Sequence, residues 1–214
     1  MQFNSIEFLT FFAFVFTCYW FLPHKWQNRF LLAVSYLFYC SWNWKFLSLI
    51  LVSTFVDYFC GIYIHGSKED KRKNLILLFS LITNLGILGF FKYANFFVAE
   101  ASDLLTIVGF QPNISTLNII LPVGISFYTF QTMSYTIDIY RRKMKPTRNF
   151  PDFALFVAFF PQLVAGPIER AINLLPQITK QRVFEYSSVV SGLRLAAWGM
   201  FKKVIIATQR IFNK

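Results

Sequence analysis

The stretch FLSLILVSTFVDYFCGIYI at residues 46–64, the polar run GSKEDKRK at 66–73 and the stretch LILLFSLITNLGILGFF at 75–91 together decide the fold. Each apolar run falls within the ~17–25 residues that a membrane-crossing helix needs. The run between them carries six charges, Lys68 to Lys73, which hydrocarbon does not tolerate without cost. Lipid offers no hydrogen-bond partner to a backbone, so a crossing segment closes its own bonds as a helix. The spacing predicts helices over both runs and a charged turn between them. Asp57 is an intramembrane carboxylate and hence a candidate functional group. It lies within two turns of the basic turn, where partial solvation or pairing with a loop lysine accounts for it.

The same reading extends in both directions. Ile6–Leu22 is a further crossing run, with Asn4 and Glu7 at capping-box spacing. No basic residues precede it and no small-x-small pattern follows, so it is expected to stay in place rather than be cleaved as a secretory signal. Phe30–Cys40 is read as a short span, separated from the next by Ser41-Trp42-Asn43-Trp44-Lys45, a composition suited to a membrane–water interface. Lys92 closes the span of 75–91. Tyr93–Phe110, with Glu100 and Asp103, reads as an amphipathic helix broken by Gln111-Pro112-Asn113. Leu117–Tyr140 is long enough to cross again. Phe153–Ile168 is apolar but interrupted by Pro161, Gly166 and Pro167, which predicts a broken, re-entrant element about 153–168. Ser187–Ala207 forms a last helix that carries Arg194 and ends near Lys202-Lys203. The expectation is an all-α, multi-pass transmembrane protein whose residues 1–214 form a single membrane domain.

Composition agrees. The 214 residues are 56% hydrophobic, 20% aromatic and 14% charged, with 28 phenylalanines, whereas soluble domains carry about 25% charge. The net charge of +11 lies in short runs between apolar stretches, so membrane topology explains it and no nucleic-acid partner is expected. With loops assigned alternately and the N-terminus outside, eleven basic residues fall inside: Lys25, Arg29, Lys68, Lys71, Arg72, Lys73, Arg141, Arg142, Lys143, Lys145 and Arg148. Only Lys45 and Lys92 fall outside. The positive-inside rule then places the N-terminus on the extracytoplasmic side. Cys18, Cys40 and Cys60 lie in apolar runs without metal-site spacing, and no metal centre is expected.

Candidate functional residues concentrate on one helix. Gln131, Ser134, Tyr135 and Asp138 fall at i, i+3, i+4 and i+7, and Gly124 and Tyr128 extend the stripe backwards. Polar groups in a crossing helix face protein or a cavity, so the stripe is either interhelical packing glue or the lining of a tunnel. The adjacent Glu169 and Arg170 would position a polar acceptor or a donor's phosphates; a local salt bridge accounts for them equally well. His24 and His65 are the only histidines, and neither adjoins a serine or cysteine in a nucleophilic arrangement. No Gly-rich phosphate loop, HExxH or GxSxG occurs, which excludes the common soluble hydrolase and nucleotide-binding classes.

Several strings carry a more specific signal. Leu121-Pro122-Val123-Gly124-Ile125-Ser126-Phe127-Tyr128-Thr129-Phe130-Gln131 and Phe160-Pro161-Gln162-Leu163-Val164-Ala165-Gly166-Pro167-Ile168 resemble hallmarks of the membrane-bound O-acyltransferase family, in its alginate-acetylation branch. Phe91-Lys92-Tyr93-Ala94-Asn95-Phe96, the Asp57-Tyr58 context and Trp198-Gly199-Met200-Phe201-Lys202-Lys203-Val204 are similar to the family as well. The resemblance implies a many-helix funnel, of which this chain would be an incomplete part. It implies transfer of an acyl group, usually acetyl, towards an extracytoplasmic polysaccharide such as alginate. The acyl donor is expected to be acetyl-CoA or another acyl carrier, with no tightly bound cofactor. Expected partners are the lipid bilayer and extracytoplasmic polysaccharide-acetylation proteins, and the expected location is the bacterial cytoplasmic (inner) membrane. The resemblance also adds Gln162 to the candidate lining. The family's catalytic histidine belongs to a later helix, and no position here matches it. After Ile205-Ile206-Ala207 the chain reads Thr208-Gln209-Arg210-Ile211-Phe212-Asn213-Lys214. The expectation is a chain truncated before that histidine and inactive alone, since acyl transfer needs a group to take the acceptor's proton.

A competing reading is a small non-enzymatic membrane protein, a transporter half or an assembly subunit. Asp57 and the broken segment would then mark a permeation path. It predicts an internal repeat, and the sequence shows none.

Overall fold

The computed structural model describes residues 5–107, 122, 124–163, 166 and 168–202. Their regular structure is entirely helical: α1 (Ile6–Phe21), α2 (His24–Gly66), α3 (Asp70–Ile107), α4 (Ile125–Tyr140), α5 (Phe150–Ala158), α6 (Phe160–Leu163), α7 (Ala171–Thr179) and α8 (Tyr186–Phe201). Two helical stretches are long and apolar enough to cross a membrane, Trp44–Gly66 and Asp70–Ile107. Most of α3's apolar window lies on the surface. Phe55, Phe59, Tyr63, Leu75 and Phe79 border an open groove between α2 and α3. Water disfavours such a surface and hydrocarbon does not.

Several boundaries differ from the sequence reading. No turn occurs at Ser41–Lys45. Helix α2 runs through it for 43 residues, a contour of about 65 Å at 1.5 Å per residue. Interfacial tryptophans mark depth, but 41–45 holds neither a proline to remove a backbone donor nor a glycine to end the helix, so the ladder continues. Lys92 likewise closes nothing, because α3 continues through it to Ile107 and joins the two segments read as separate. Lys45 and Lys92 are therefore helical rather than loop residues. The charged turn is confined to Ser67, Lys68 and Glu69. Helix α4 starts only at Ile125 and at 16 residues is short of a full crossing. Helix α1 is capped by Ser5, whose Oγ accepts from Phe8 N at 3.2 Å; Asn4 lies outside the described residues. So do residues 108–121, 123, 164, 165, 167 and 203–214, and with them the break at Gln111-Pro112-Asn113, the early part of Leu117–Tyr140 and the end of Ser187–Ala207.

The chain divides into two units, residues 1–30 with 180–214, and residues 31–179. In the first, Phe8, Val15 and Tyr19 are the buried residues of α1. Arg182 Nη1 donates to Tyr19 Oη and, at 3.1 Å, to Asn28 Oδ1. Trp20 meets Phe184 edge-on at 5.0 Å. No residue of α8 is buried, so Leu195 and Trp198 lie exposed.

The second unit holds the core. Helix α5 is buried from Phe153 to Ala158, a run apolar on every face, and Asp152 before it is buried as well. Helices α2 and α4 touch at Gly61, where a Cβ would meet Tyr135 Cε1 at 2.7 Å and Ile139 Cδ1 at 2.9 Å. Only a glycine permits that approach. Helix α4 opens on Gly124, with φ +76°, and a Cβ there would lie 2.7 Å from Tyr39 Oη.

Candidate functional site

Helix α4 carries polar side chains on two faces, and each face has a different job. The first face points to α2 and α3. Asp57 of α2 is completely buried. Ser80 Oγ donates to its Oδ1 at 2.5 Å, and Asn84 Nδ2 donates to its Oδ2 at 2.8 Å. Helix α4 closes the cluster with longer contacts, Thr132 Oγ1 donating to Asn84 Oδ1 at 3.4 Å and Ser80 Oγ reaching Thr136 Oγ1 at 3.3 Å. Ser80, Asn84, Thr132 and Thr136 are all fully buried. The pairing of Asp57 with a loop lysine is thus corrected: its partners are the neutral donors Ser80 and Asn84, about two and three turns beyond Lys73 along α3. A buried carboxylate needs such donors on its oxygens to offset its lost hydration.

The second face points to α5, α6 and α7. Helix α5 ends at Ala158, Phe159 is non-helical, and α6 starts at Phe160. The break frees two groups that an unbroken helix would join, Phe156 O and Phe160 N. Gln131 Nε2 donates to Phe156 O at 2.6 Å, and Ser35 Oγ accepts from Phe160 N at 3.3 Å. Broken backbone is tolerated at membrane depth where protein satisfies the released groups, and these two side chains do so. Tyr135 is buried with its ring 4.4 Å from that of Phe153.

Asp138, in the last turn of α4, is buried, and neither carboxylate oxygen accepts a hydrogen bond among the described residues. Arg170 Nη2 stands 3.9 Å away. The structure therefore brings together two residues that the sequence presents separately. Arg170 pairs with Asp138, whereas Glu169 is half-buried and forms no ion pair among the described residues. Gln162 is buried in α6. Ser134 is half-buried, with its hydroxyl committed to Gln131 O at 2.8 Å. Ser35, Ser80, Asn84, Thr132 and Thr136 do not stand out in the sequence reading. Ser80 and Asn84 stand at i, i+4 within an apolar run, as do Thr132 and Thr136, and that spacing is the available signal.

The chain is 39% identical over 210 residues to the probable alginate O-acetylase AlgI of Azotobacter vinelandii, covering 97% of this chain and 42% of that protein. It is 39% identical over 209 residues to the probable alginate O-acetylase AlgI of Pseudomonas aeruginosa, covering 97% of this chain and 40% of that protein. These relatives belong to the membrane-bound O-acyltransferase family, and this chain is similar to them over almost its whole length. A peptidoglycan O-acetyltransferase of Helicobacter pylori is 36% identical over 203 residues, covering 83% of this chain and 38% of that protein. The chain spans about two fifths of the length of these curated relatives. No family model and no solved structure matches it. Beside these relatives, the apolar stretches Trp44–Gly66 and Asp70–Ile107 are those of a membrane protein.

Proposed function

We propose that this chain forms part of an O-acetyltransferase of the bacterial cytoplasmic membrane that acetylates an extracytoplasmic polysaccharide such as alginate. The supporting observation is the 39% identity, over almost the whole chain, to relatives named as alginate O-acetylases. The donor in this reading is acetyl-CoA or another acyl carrier, and extracytoplasmic acetylation proteins complete the transfer. In O-acyl transfer an acceptor hydroxyl attacks the donor's acyl carbon, the carrier leaves, and a base takes the hydroxyl proton. His24 opens α2 and His65 stands in its last turn, and neither adjoins a serine or cysteine in a nucleophilic arrangement in the sequence. We therefore place the base in sequence outside these 214 residues, so that this chain alone does not turn over.

The substrate path runs, in this reading, beside Tyr135, Asp138, Gln162, Glu169 and Arg170. A buried carboxylate without a hydrogen-bond donor and with a cation at 3.9 Å is a group able to receive a polar ligand. Lysines and arginines of the α2–α3 turn and of the connection after α4 gather at one end of the second unit, which supports assigning that end to the cytoplasm.

The test is acetyl transfer from labelled acetyl-CoA in membranes holding this chain alone, this chain with the complementary part of the A. vinelandii relative, or that whole relative as control. Transfer by the complemented chain and none by the chain alone is expected. Turnover by the chain alone would refute the placement of the base. An inactive complemented chain beside an active control would refute the reading itself.

A further inference from the structure

At the end of the second unit where α2 closes and α3 opens, a cavity of about 530 Å³ is lined by His65, Ser67, Lys73, Arg142, Lys143 and Lys145, with Ile139 and Tyr140 beneath them. Four cationic side chains from α3 and the α4–α5 connection thus face one volume, and no carboxylate lines it. Lys73 is bonded to Asp70 at 3.0 Å with its own side chain nearly buried and that of Asp70 largely exposed. That places the acid at the rim.

The backbone supplies a second observation. Arg142 N donates to Ile139 O and Lys143 N to Asp138 O, both at 2.9 Å. These are the two bonds of a Schellman motif, whose left-handed position glycine fills by preference. Here it is filled by Arg142, at φ +56°. An L side chain in that conformation lowers stability, and strained positions of this kind cluster where the side chain has a task. The guanidinium, a planar fork suited to phosphate oxygens, is the evident reason for an arginine there.

The cavity also continues towards lipid. Ser67 is shared with a second cavity at the α2–α3 turn, lined by Tyr63, Gly66, Lys68, Glu69 and Arg72. Tyr63 is shared in turn with the apolar groove between α2 and α3. A basic compartment therefore passes into a greasy trough over two helices. Basic pockets between membrane helices bind acidic headgroups.

We propose that this cavity is a binding site for the phosphate headgroup of an acidic phospholipid, with an acyl chain lying in the groove along Phe55, Phe59 and Phe79. The site does not depend on the acyl-transfer reading.

The test uses the purified full chain in phosphatidylcholine nanodiscs, with phosphatidylglycerol titrated in and retention read by native mass spectrometry. Each basic residue near a headgroup contributes roughly a fivefold change in affinity. Arg142→Gly should thus weaken phosphatidylglycerol retention about fivefold, and Arg142→Gly/Lys143→Gln about 30-fold. Arg142→Gly should at the same time hold or raise the melting temperature in pure phosphatidylcholine, because glycine suits the backbone. Lys71→Gln, in the first turn of α3 but outside the lining of both cavities, should leave retention unchanged. Equal losses in Lys71→Gln and Arg142→Gly would overturn the proposal in favour of diffuse surface attraction. Tight binding of pyrophosphate without retention of phosphatidylglycerol would overturn it in favour of a soluble phosphate ligand.

Discussion

Replacing Asn84 by alanine should test the Asp57 cluster most sharply. The substitution deletes the 2.8 Å bond to Asp57 Oδ2 and leaves the carboxylate with Ser80 as its remaining close donor. A hydrogen bond to a charged group contributes about 1.5–3 kcal/mol, whereas interhelical hydrogen bonds within membranes average about 0.6 kcal/mol. Both oxygens of Asp57 accept, and every group in the cluster is fully buried, so the larger value applies. The expected loss is about 2 kcal/mol for Asn84→Ala, with a similar loss for Ser80→Ala. Thr132 reaches Asn84 only at 3.4 Å and also donates to Thr129 O of its own helix at 3.2 Å. Thr132→Ala should therefore cost less than about 0.5 kcal/mol through this contact. Reversible unfolding of the purified chain in mixed micelles gives each value, and a double-mutant cycle of Asp57→Ala with Asn84→Ala isolates the pair. A coupling below about 0.5 kcal/mol, or a Thr132→Ala loss as large as that of Asn84→Ala, would refute the claim that this carboxylate pins α2 to α3.

Gln131→Leu should cost about 1–3 kcal/mol in the same assay, because it leaves Phe156 O buried and unpaired at the helix break; an unchanged midpoint would show that the carbonyl finds another donor. Gly124→Ala forces an L residue to φ +76°, at about 1–2 kcal/mol, and drives its Cβ into Tyr39 Oη. Adding Tyr39→Phe should restore the steric part of that loss and leave the backbone part, which the melting temperatures of single and double variants will show. Arg170→Ala removes the cation near buried Asp138, but the arginine side chain is 55% exposed, so screening holds the loss to about 1 kcal/mol. A paired Asp138→Asn, which needs no cation, should make Arg170→Ala neutral, and an undiminished loss would show that the two do not interact.

The two long apolar helices are legible because hydrocarbon imposes one backbone solution on long apolar runs, and both 46–64 and 75–91 lie inside observed helices long and apolar enough to cross a membrane. Their ends are less so. The stretch at Ser41–Lys45 and Lys92 suggest boundaries from where such residues sit in a membrane, but polarity alone does not end a helix. The stripe of Gln131, Tyr135 and Asp138 is visible as a period, and those residues are buried. What each one touches is not visible. The partner of Gln131 is a backbone carbonyl freed 25 residues later, and Pro161 hints at the break without saying which carbonyl it will release. Asp57 stands out by its charge, and in the sequence its nearest opposite charges are lysines. Its donors come from another helix, 23 and 27 residues away, and only packing decides that choice.

Gly61 has no chemistry of its own, yet the geometry of both polar faces of α4 depends on it. The ring of Tyr135 rests against the bare backbone of α2 at that point, so the axis of α4 is set by the thickness of one absent methyl group. Pushed outward there, α4 would draw Thr132 and Thr136 away from the Asp57 cluster while pressing Gln131 towards the interrupted helix. Two groups of side chains with no bond between them would thus be detuned by the same small displacement, in opposite senses.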